Sequence, residues 1–568
     1  MLIIIQHYSG EVENMGISRR QFMKRGAVAA TALSLGSIHC GKEQRPNIIV
    51  LFSDELDPKY LSCYGGDFPT PNIDTLAQKG VRFTKAYVSA SMCTPSRFSL
   101  LTGKYPGRCA TEEFKQEFPP NVPYNIAWNT GLDGSLPTVA SLLSKSGYLT
   151  GAVGKWHNGI KAYDEQLPKF DLDDDPADEQ VDRKLRERNE IVSARIRHDA
   201  GFDVTASVNW GNFDNFPIKA LRYHNFPWMT KGAVDFIKQG AAGSKPFFLY
   251  AATTAVHGPF HADAFDHDPR FTVEGYVPDV IHYQPPVDEF KAKLAEYPQY
   301  MHHRLAGIMD LEYHVGQVLK TVRDLGIEDN TVFVFLSDHN VEPGKATCYE
   351  KGNHVPMLMT WPGKITPKGV NHNLVQSVDI LPTLAQIAGA KIDASILLDG
   401  VDYMPAVAEN KAVRNYIYLE SGYTRAVNDG RYKYIAFRPP QSALDEMEQG
   451  KTKYAPNHLD TFKQAHSQIA MQHYPSYFDP DQLYDLEKDP YEQHNVINNP
   501  EYKEIQERLR SELKRRLATF NNVFDLETPP FMLTNTYKKM ADNTRAIGTD
   551  FIEWLARDHG TIVFPPKE

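Results

Sequence analysis

The sequence predicts an α/β fold of the doubly wound kind, in which helices flank a mixed, mostly parallel sheet. Three apolar runs of the buried-strand type end in polar residues: "PNIIVLFSDE", "KPFFLYAATTAVH" and "TVFVFLSDHN". Segments with helical spacing of apolar residues lie between them, and this alternation is typical of a parallel sheet. A chain of 568 residues is also too long for one simple core, so we expect a large and a small domain.

The first 45 residues are expected to form an export signal and a linker. The segment "SRRQFMKRGAVAATALSLGS" has a basic start and then a short apolar run, an order that matches the twin-arginine signal. The run is too short to span a bilayer, and the alternative is an amphipathic surface helix. Met15 is a second candidate start residue, and Cys40 is a candidate lipid-attachment site in a poor lipobox. We therefore expect a periplasmic or secreted protein.

Residues 46–410 are expected to form the large domain. Five segments in it have helical apolar spacing: "NIDTLAQKGV", "TVASLLSKSG", "TKGAVDFIKQ", "AGIMDLEYHVGQVLKTVRDLG" and "DILPTLAQIAG". Between Lys161 and Phe226 the alternation of apolar strands and helices is interrupted. A charged run comes first, which we interpret as a solvated insertion, and an aromatic stretch around Trp210 follows, which is a candidate pocket wall.

Residues 411–568 are expected to form a smaller α+β domain with an antiparallel sheet. The segment "NYIYLESGYTRAVNDGRYKYIAFR" contains an Asn-Asp-Gly turn at residues 428–430, which predicts a hairpin. The charged segment "EYKEIQERLRSELKRRL" predicts a terminal helix.

Composition excludes some classes of function. The formal net charge of -10 argues against a nucleic-acid partner, because no dominant basic face is available to neutralise phosphates. The five cysteines are scattered without CxxC spacing, so neither a zinc site nor a disulfide framework is expected.

Acidic residues follow two of the strands. Asp54 and Glu55 end the first, and Asp338 with His339 or Asn340 ends the last. Strand ends in a doubly wound sheet meet at one crevice. These side chains offer hard oxygen ligands and one nitrogen or amide, a set suited to calcium or magnesium.

Cationic and titratable residues accompany the acidic ones. Lys155 and His157 follow a further short apolar segment, His257 closes the second strand, and Lys345 lies seven residues after Asp338. With Arg97 they place three fixed cations and two imidazoles around a divalent metal. This combination predicts a site that processes anions.

Cys93 lies in "SASMCTPSRFSLLTGKYPGR", beside Arg97 and ahead of an apolar run. From these residues alone it is an ordinary buried thiol, a thiolate nucleophile or a chemically altered residue.

Two motifs bear on that choice. "SMCTPSR" followed by "LLTG" covers residues 91–103, and "GYLTGAVGKWH" covers residues 147–157. In both, the sequence resembles the type I sulfatases of the alkaline phosphatase superfamily, and the resemblance runs from Pro46 to about Leu517. It implies an alkaline phosphatase-like fold and sulfuric ester hydrolysis.

The resemblance implies that Cys93 acts after modification. In that family the cysteine of C-x-P-x-R is oxidised to formylglycine (3-oxoalanine) by a formylglycine-generating or anaerobic sulfatase-maturing enzyme. One hydroxyl of the hydrated aldehyde takes up the sulfuryl group as a covalent sulfo-enzyme intermediate. The second hydroxyl lets this intermediate collapse and expel sulfate.

The resemblance also implies one metal ion, Ca²⁺ or alternatively Mg²⁺. Its ligands would be Asp54, Glu55, Cys93, Asp338 and His339. Arg97 and Lys155 would fix the gem-diol. Family members commonly have aspartate where this chain has Glu55, whose longer arm is still expected to reach the metal.

The proton transfers are implied in the same way. Asp338 would be the base for nucleophilic attack, and His257, with Lys345, would protonate the leaving alcohol. His157 would take the proton from the second hydroxyl. Lys345 would also neutralise charge on the sulfuryl oxygens.

The substrate is expected to be a sulfated sugar or polysaccharide, since aromatic faces pack against sugar rings, although an aryl sulfate would fit the same features. A second departure from the family pattern lies at "YEKGNH", residues 349–354. Candidate substrate contacts are Trp210, His261, Lys351, His354 and Arg425.

Two other functions remain open at this stage. A phosphate or phosphonate monoester hydrolase of the same superfamily would use the same metal and nucleophile. An inactive, exported glycan-binding homologue would retain the fold without the chemistry. Measuring sulfate against phosphate release separates the first from a sulfatase.

Overall fold

This computed structural model describes residues 44–159, 165–279, 282, 285–297, 302–341, 343–366, 369–448, 470 and 473–527. The predicted export signal, Met15 and Cys40 lie outside these residues. The described residues from Arg45 to Glu527 belong to one compact unit. Among the helices in the described ranges, none has both the length and the apolar character needed to cross a membrane.

An eight-stranded sheet forms the centre of the molecule. Its eight strands are β1 (Asn47–Ser53), β2 (Val81–Tyr87), β3 (Leu149–Lys155), β4 (Val204–Asn209), β5 (Phe247–Ala252), β8 (Thr331–Ser337), β9 (Met357–Thr360) and β10 (Gly369–Gln376). A separate two-stranded ribbon consists of β6 (Phe271–Thr272) and β7 (Gly275–Tyr276). The order across the sheet is β10-β2-β9-β8-β1-β5-β3-β4. Within the described eight-stranded sheet, only β9 runs antiparallel to its neighbours, so the predicted mixed, mostly parallel sheet is confirmed.

Helices cover both faces of this sheet. They are α1 (Pro71–Lys79), α2 (Cys93–Thr102), α3 (Glu112–Glu117), α4 (Val139–Lys145), α5 (Glu179–Ala200), α6 (Phe226–Ala242), α7 (Val287–Ala295), α8 (His302–Asp324), α9 (Glu350–Asn353), α10 (Ile380–Ala388) and α11 (Met404–Glu409). Strand β1 shows why the apolar runs are uninterrupted: Ile48, Val50 and Phe52 pack into one core cluster, while Ile49 and Leu51 pack into the other. A parallel strand buried on both faces needs apolar residues at every position.

The register of β1 and β8 brings the acidic strand ends together. Ser53 pairs with Ser337 at the last position of both strands. Asp54 and Asp338 therefore leave the sheet side by side at its carboxyl edge.

The register on the other side of β1 adds the basic residues. Ala252 at the end of β5 pairs with Gly154 of β3, one residue before Lys155. The β5 strand leads into the loop that carries His257. The same edge of the sheet thus receives carboxylates from two strands and a lysine and an imidazole from two others.

A smaller antiparallel sheet follows, with strands β11 (Ile417–Ser421), β12 (Thr424–Asn428), β13 (Tyr432–Phe437) and β14 (Asp481–Asp485), and with helices α12 (Gln441–Glu448) and α13 (Lys503–Leu517). The predicted hairpin joins β12 to β13. Its turn contains Gly430 with φ +91°, a conformation that glycine adopts without strain.

The insertion after Lys161 differs from the solvated segment that we expected. Within it, α5 is a 22-residue helix. One face of α5 is buried through Val181, Leu185, Val192 and Ile196, because apolar residues recur every three to four positions within the charged sequence.

Candidate active site

The carboxyl edge of the sheet holds a compact group of four potential ligands. Asp54, Cys93, Asp338 and His339 are all buried, and their ligand atoms lie within 4.8 Å of one another. Cys93 begins helix α2, and its Sγ lies 3.2 Å from Nε2 of His339. Two carboxylates and an imidazole beside residue 93 fit a hard divalent cation.

Arg97 lies one helical turn after Cys93 and fixes both carboxylates. Its guanidinium nitrogens donate to Oδ2 of Asp338 at 2.8 and 3.0 Å and to Oδ2 of Asp54 at 3.2 Å. A further nitrogen donates to the carbonyl oxygen of Lys155 at 3.1 Å. The Lys155 ammonium donates to Asp54. Arg97 and Lys155 are both buried, so their charges act here with little solvent screening.

The two carboxylates respond differently to this environment. Burial raises the pKa of Asp338, and the neighbouring Asp54 charge raises it further. Burial also opposes ionisation of Asp54, but Lys155, His257 and Arg97 hold its pKa well below the usual range. Two buried carboxylates side by side repel each other. A divalent cation between them would relieve that repulsion, which supports the metal-binding interpretation.

The Cys93 thiol is acidified despite its burial. Burial and the Asp54 charge oppose ionisation, yet Lys155, His339 and Lys345 outweigh them and lower the pKa of Cys93 to about 6. Burial raises the pKa of Cys63 and of Cys348 to about 12. Among the described cysteines, Cys93 is therefore the one in surroundings that favour an anion.

Glu55 departs from its predicted place among the metal ligands. Its carboxylate accepts hydrogen bonds from Lys345 at 3.1 Å and from Arg304 at 3.2 Å, and Nε2 of His257 lies 3.8 Å away. It is absent from the four-residue group found among the described residues. The longer side chain reaches these cations, while the backbone N–H of Glu55 donates to Asp338.

The two predicted catalytic imidazoles are held as neutral rings. Burial lowers the pKa of His157 well below its ordinary value, and Lys155 and Arg97 lower it further. Burial and Lys345 do the same for His257. Neutral imidazole can accept a proton at neutral pH.

A cleft of about 480 Å³ opens beside this group of potential ligands. Thr94, next to Cys93, and His157 line it together with Trp210 and Trp128. The indole of Trp210 packs so closely on Gly159 that a Cβ there would lie 1.8 Å from the ring. Trp210 was predicted as a pocket wall, and it does line this cleft.

Comparisons with known proteins agree with this geometry. The sulfatase family model matches residues 46–390, and a model described as N-sulphoglucosamine sulphohydrolase, C-terminal, matches residues 344–468. Bovine arylsulfatase A is 30% identical over 496 residues, which cover 80% of this chain and 84% of that protein. The chain belongs to the sulfatase family. It is a sulfuric ester hydrolase.

Other sulfatase relatives extend the comparison. The N-acetylgalactosamine-6-O-sulfatase of Bacteroides thetaiotaomicron is 27% identical over 549 residues, covering 82% of this chain and 93% of the relative. A solved structure of BT4656 in complex with its substrate, D-glucosamine-2-N,6-O-disulfate, has a TM-score of 0.54 and 18% identity, covering 86% of this chain and 99% of that chain. This last similarity shows the fold.

Two of the predicted substrate contacts of this sulfatase are buried side chains. Arg425 is 0% exposed, and its guanidinium donates to the carbonyl oxygens of Gly422 and Tyr124. His261 is 1% exposed, with its Nδ1 2.7 Å from Oδ2 of Asp310. Both side chains are packed inside the protein, so neither is available to a sugar at the surface.

Lys351 and His354 have protein partners. The Lys351 ammonium donates to Asp57, and Nε2 of His354 lies 2.8 Å from the carbonyl oxygen of Thr84. Both side chains therefore have contacts within the protein, and their role as substrate contacts stays a prediction.

Three residues at the site were missed from the sequence. Arg304 reaches Glu55 from α8, Asn212 lies 3.4 Å from Nε2 of His257, and Arg188 of α5 lines the cleft. The predicted site residues were chosen mainly because they follow strands, whereas these three residues lie on helices and in a loop. For Arg188 a signal did exist, because it falls on the apolar face of α5.

Proposed function

We propose that this sulfatase releases inorganic sulfate from a sulfated sugar or polysaccharide, with residue 93, oxidised to formylglycine, as its nucleophile. The observation that carries the proposal is the position of Cys93. It lies against Asp54 and His339 in a buried, cation-rich group. An ordinary buried thiol would have its ionisation suppressed, as at Cys348.

Arg97 and Lys155 are proposed to orient the nucleophile. Both are buried and already fixed by Asp54, so no reorganisation is needed when charge develops beside them. Asp54, Asp338 and His339 would hold a calcium ion, or alternatively magnesium. That ion would supply Lewis-acid polarisation of a sulfate oxygen and of the nucleophile, and the aldehyde hydrate would supply two hydroxyls on one carbon.

The imidazoles and Lys345 are proposed to manage protons and charge. Neutral His157 would accept the proton of the second hydroxyl in the release step, and Asp338 would be the base for attack. His257 would take up a proton from solvent water and pass it to the oxygen of the leaving alcohol, and Lys345 would neutralise sulfate oxygens. The contacts of His257 and Lys345 with Glu55 support a shared position.

The sugar substrate is supported by the cleft and by one relative. Trp128 and Trp210 line the cleft, and aromatic rings pack well against the apolar faces of sugars. A relative that is 27% identical over most of its length is an N-acetylgalactosamine-6-O-sulfatase. We propose a sulfated glycan of this general class for the present chain.

Export and maturation complete the proposal. The segment "SRRQF" at residues 18–22 would direct the chain to the twin-arginine machinery, which delivers it to the periplasm or outside the cell, with Cys40 as a site for a lipid anchor. A formylglycine-generating or anaerobic sulfatase-maturing enzyme would act on Cys93 before export.

The first experiment is the mass of the proteolytic peptide that contains Cys93, from protein made in its native host, together with assays of sulfate and phosphate release. We expect an aldehyde in place of the thiol and release of sulfate. Cys93→Ala should lose activity by about a thousandfold or more, because the nucleophile is removed. Cys63→Ala is the matched control and should keep normal activity.

Two results would contradict the proposal. An unmodified Cys93 thiol in fully active, exported protein would exclude formylglycine as the nucleophile. Faster release of phosphate than of sulfate from matched esters would favour the phosphate or phosphonate monoester hydrolase instead.

A further inference from the structure

The cleft beside the catalytic group is also lined by two positively charged side chains. Lys169 precedes α5 and Arg188 lies within it, and both line the cleft that Thr94 and His157 share. Asn209, Asn212 and Asn215 add amide groups to the same lining. Among the described residues that form this lining there is no aspartate or glutamate, so the cleft favours an anionic ligand.

Arg188 is held in a fixed orientation. It is 7% exposed, and its guanidinium carbon lies 4.8 Å from the centre of the Phe216 ring. Its neighbours along the same helix face, Leu185 and Val192, are buried in the two core clusters. A buried guanidinium stacked on an aromatic ring loses little further side-chain entropy when it binds a planar or tetrahedral oxyanion.

We propose that the cleft holds the sugar next to the scissile sulfate ester, and that Arg188, assisted by Lys169, binds a second oxyanion of the same glycan. The oxyanion is a uronate carboxylate or a further sulfate group. This inference rests on the proposed function, since it assigns the specificity of that same site. The preferred substrate is therefore a glycan with at least two anionic groups.

Arg188 and Lys169 would make the enzyme select between substrates. The catalytic cations Arg97, Lys155 and Lys345 would serve any sulfate ester, whether aryl or sugar. Arg188 would serve only a ligand that extends into the cleft and presents an oxyanion there. A substrate without that group makes no charge-assisted hydrogen bond to the guanidinium, and such a bond contributes about tenfold or more in binding.

The test compares kcat/KM for five substrates in wild-type and Arg188→Ala protein. They are 4-nitrophenyl sulfate, a monosulfated disaccharide with an adjacent uronate, its carboxyl-reduced counterpart, glucosamine-2-N,6-O-disulfate and glucosamine-6-sulfate. We expect Arg188→Ala to lower kcat/KM for a dianionic substrate about tenfold more than for 4-nitrophenyl sulfate, chiefly through KM. The disaccharide and glucosamine pairs distinguish a carboxylate from a second sulfate.

The control is Arg183→Ala. Arg183 lies on the same helix, but its side chain is 66% exposed and 3.8 Å from Glu179, so its removal deletes the same charge away from the cleft. It should preserve the ratio between dianionic and monoanionic substrates. Arg188→Lys should restore part of the ratio, because lysine keeps the charge but not the planar fork.

A binding measurement separates failure of this inference from failure of the proposed function. In the Cys93→Ser background, calorimetry should show the Kd of the dianionic substrates rising about tenfold on Arg188→Ala. Equal losses for all five substrates, or an unchanged Kd, would overturn the second-oxyanion site while leaving the sulfatase mechanism intact. Absence of sulfate release from every substrate by matured wild-type protein would overturn the proposed function, and the Kd would still decide the role of Arg188.

Discussion

At the scale of single residues, Asp54 and Glu55 are adjacent in sequence but have different surroundings. Asp54 contacts Arg97 and Lys155 within the four-residue ligand group. Glu55 contacts Lys345 and Arg304. The left-handed conformation of Glu55, with φ +59°, turns the chain between them and is unusual for a residue with a Cβ.

This difference predicts unequal effects on metal affinity. Asp54→Asn should lower the affinity for Ca²⁺ by at least about a hundredfold, because it removes a charged ligand from a buried site. Glu55→Gln should lower it by about tenfold or less, since its carboxylate acts on Lys345 beside the ligands. Calorimetric titration of chelator-treated protein with Ca²⁺ measures both values.

The control for the residue-scale prediction is Asp57→Asn. Asp57 follows the same strand, but it pairs with Lys351 and Lys59, outside the ligand group. Its substitution should leave the Ca²⁺ affinity near the wild-type value. If Glu55→Gln and Asp54→Asn were to weaken Ca²⁺ binding equally, Glu55 would be a ligand in the metal-bound protein, as the sequence predicted.

At the scale of secondary-structure elements, the contact between α6 and α8 contains a buried histidine. Nδ1 of His314 lies 3.0 Å from Oγ1 of Thr230. Burial lowers the pKa of His314 to about 4 from an ordinary value of 6.5. The unfolded chain therefore takes up a proton as the pH falls below 6.5, while the folded chain takes it up only near pH 4.

Burial of neutral His314 makes the free energy of unfolding decrease as the pH falls. Stability contributed by neutral His314 is fully present above pH 6.5 and is lost as the pH falls toward 4. Between pH 7 and pH 5 the loss should be about 2 kcal/mol in the free energy of unfolding. His314→Gln, which keeps a group able to bond Thr230, should show a smaller loss in urea unfolding at the two pH values.

The matched variant is His494→Gln, since the His494 side chain is 81% exposed. Its loss of stability between pH 7 and pH 5 should equal that of wild type. If His314→Gln also retained the full wild-type dependence, the packing of α6 on α8 would be insensitive to this protonation.

Strands and helices with one clear pattern of apolar residues could be predicted from the sequence. Segments in which charged residues interrupt that pattern could not. The fully buried β8 has an unbroken apolar run, and parallel pairing with β1 accounts for it. Helix α5 carries acidic and basic side chains on its exposed face, and these masked the apolar spacing of Leu185 and Val192. The proximity of Asp54 and Asp338 could be predicted because both follow parallel strands, whereas the position of Arg304 depends on how α8 packs.

The buried position of Arg425 could not be predicted from the sequence for a different reason. Arginine is usually exposed. Here Glu420 lies 3.5 Å from it, and the rings of Tyr124 and Phe524 lie at 4.3 and 5.1 Å from its guanidinium carbon. Burial of a charge depends on partners distant in sequence, and no local pattern shows them.

At the scale of the whole molecule, the small sheet is joined to the catalytic part by buried charges. Lys433 of β13 is 0% exposed, and its ammonium lies 2.8 Å from Glu350 and 2.7 Å from Glu492. It also donates to the carbonyl oxygen of Cys348, in the segment that follows Lys345. One core cluster likewise combines Tyr349 with side chains of the small sheet.

We therefore expect the two parts of the chain that meet at residue 410 to unfold together, although their sheets are separate. Lys433→Met should lower the free energy of unfolding by about 3–5 kcal/mol, because it leaves the buried Glu492 and the partly buried Glu350 without their cation. Loss of sulfatase activity and loss of tyrosine fluorescence should shift to lower temperature by the same amount, since both parts depend on the one ammonium.

Lys488→Met, at a side chain 69% exposed, should leave both midpoints within a degree or two of wild type. If a fragment ending at residue 410 folded and hydrolysed sulfate esters, or if the two midpoints of Lys433→Met separated, the small sheet would be an independent domain and the buried charges would not couple it to the site.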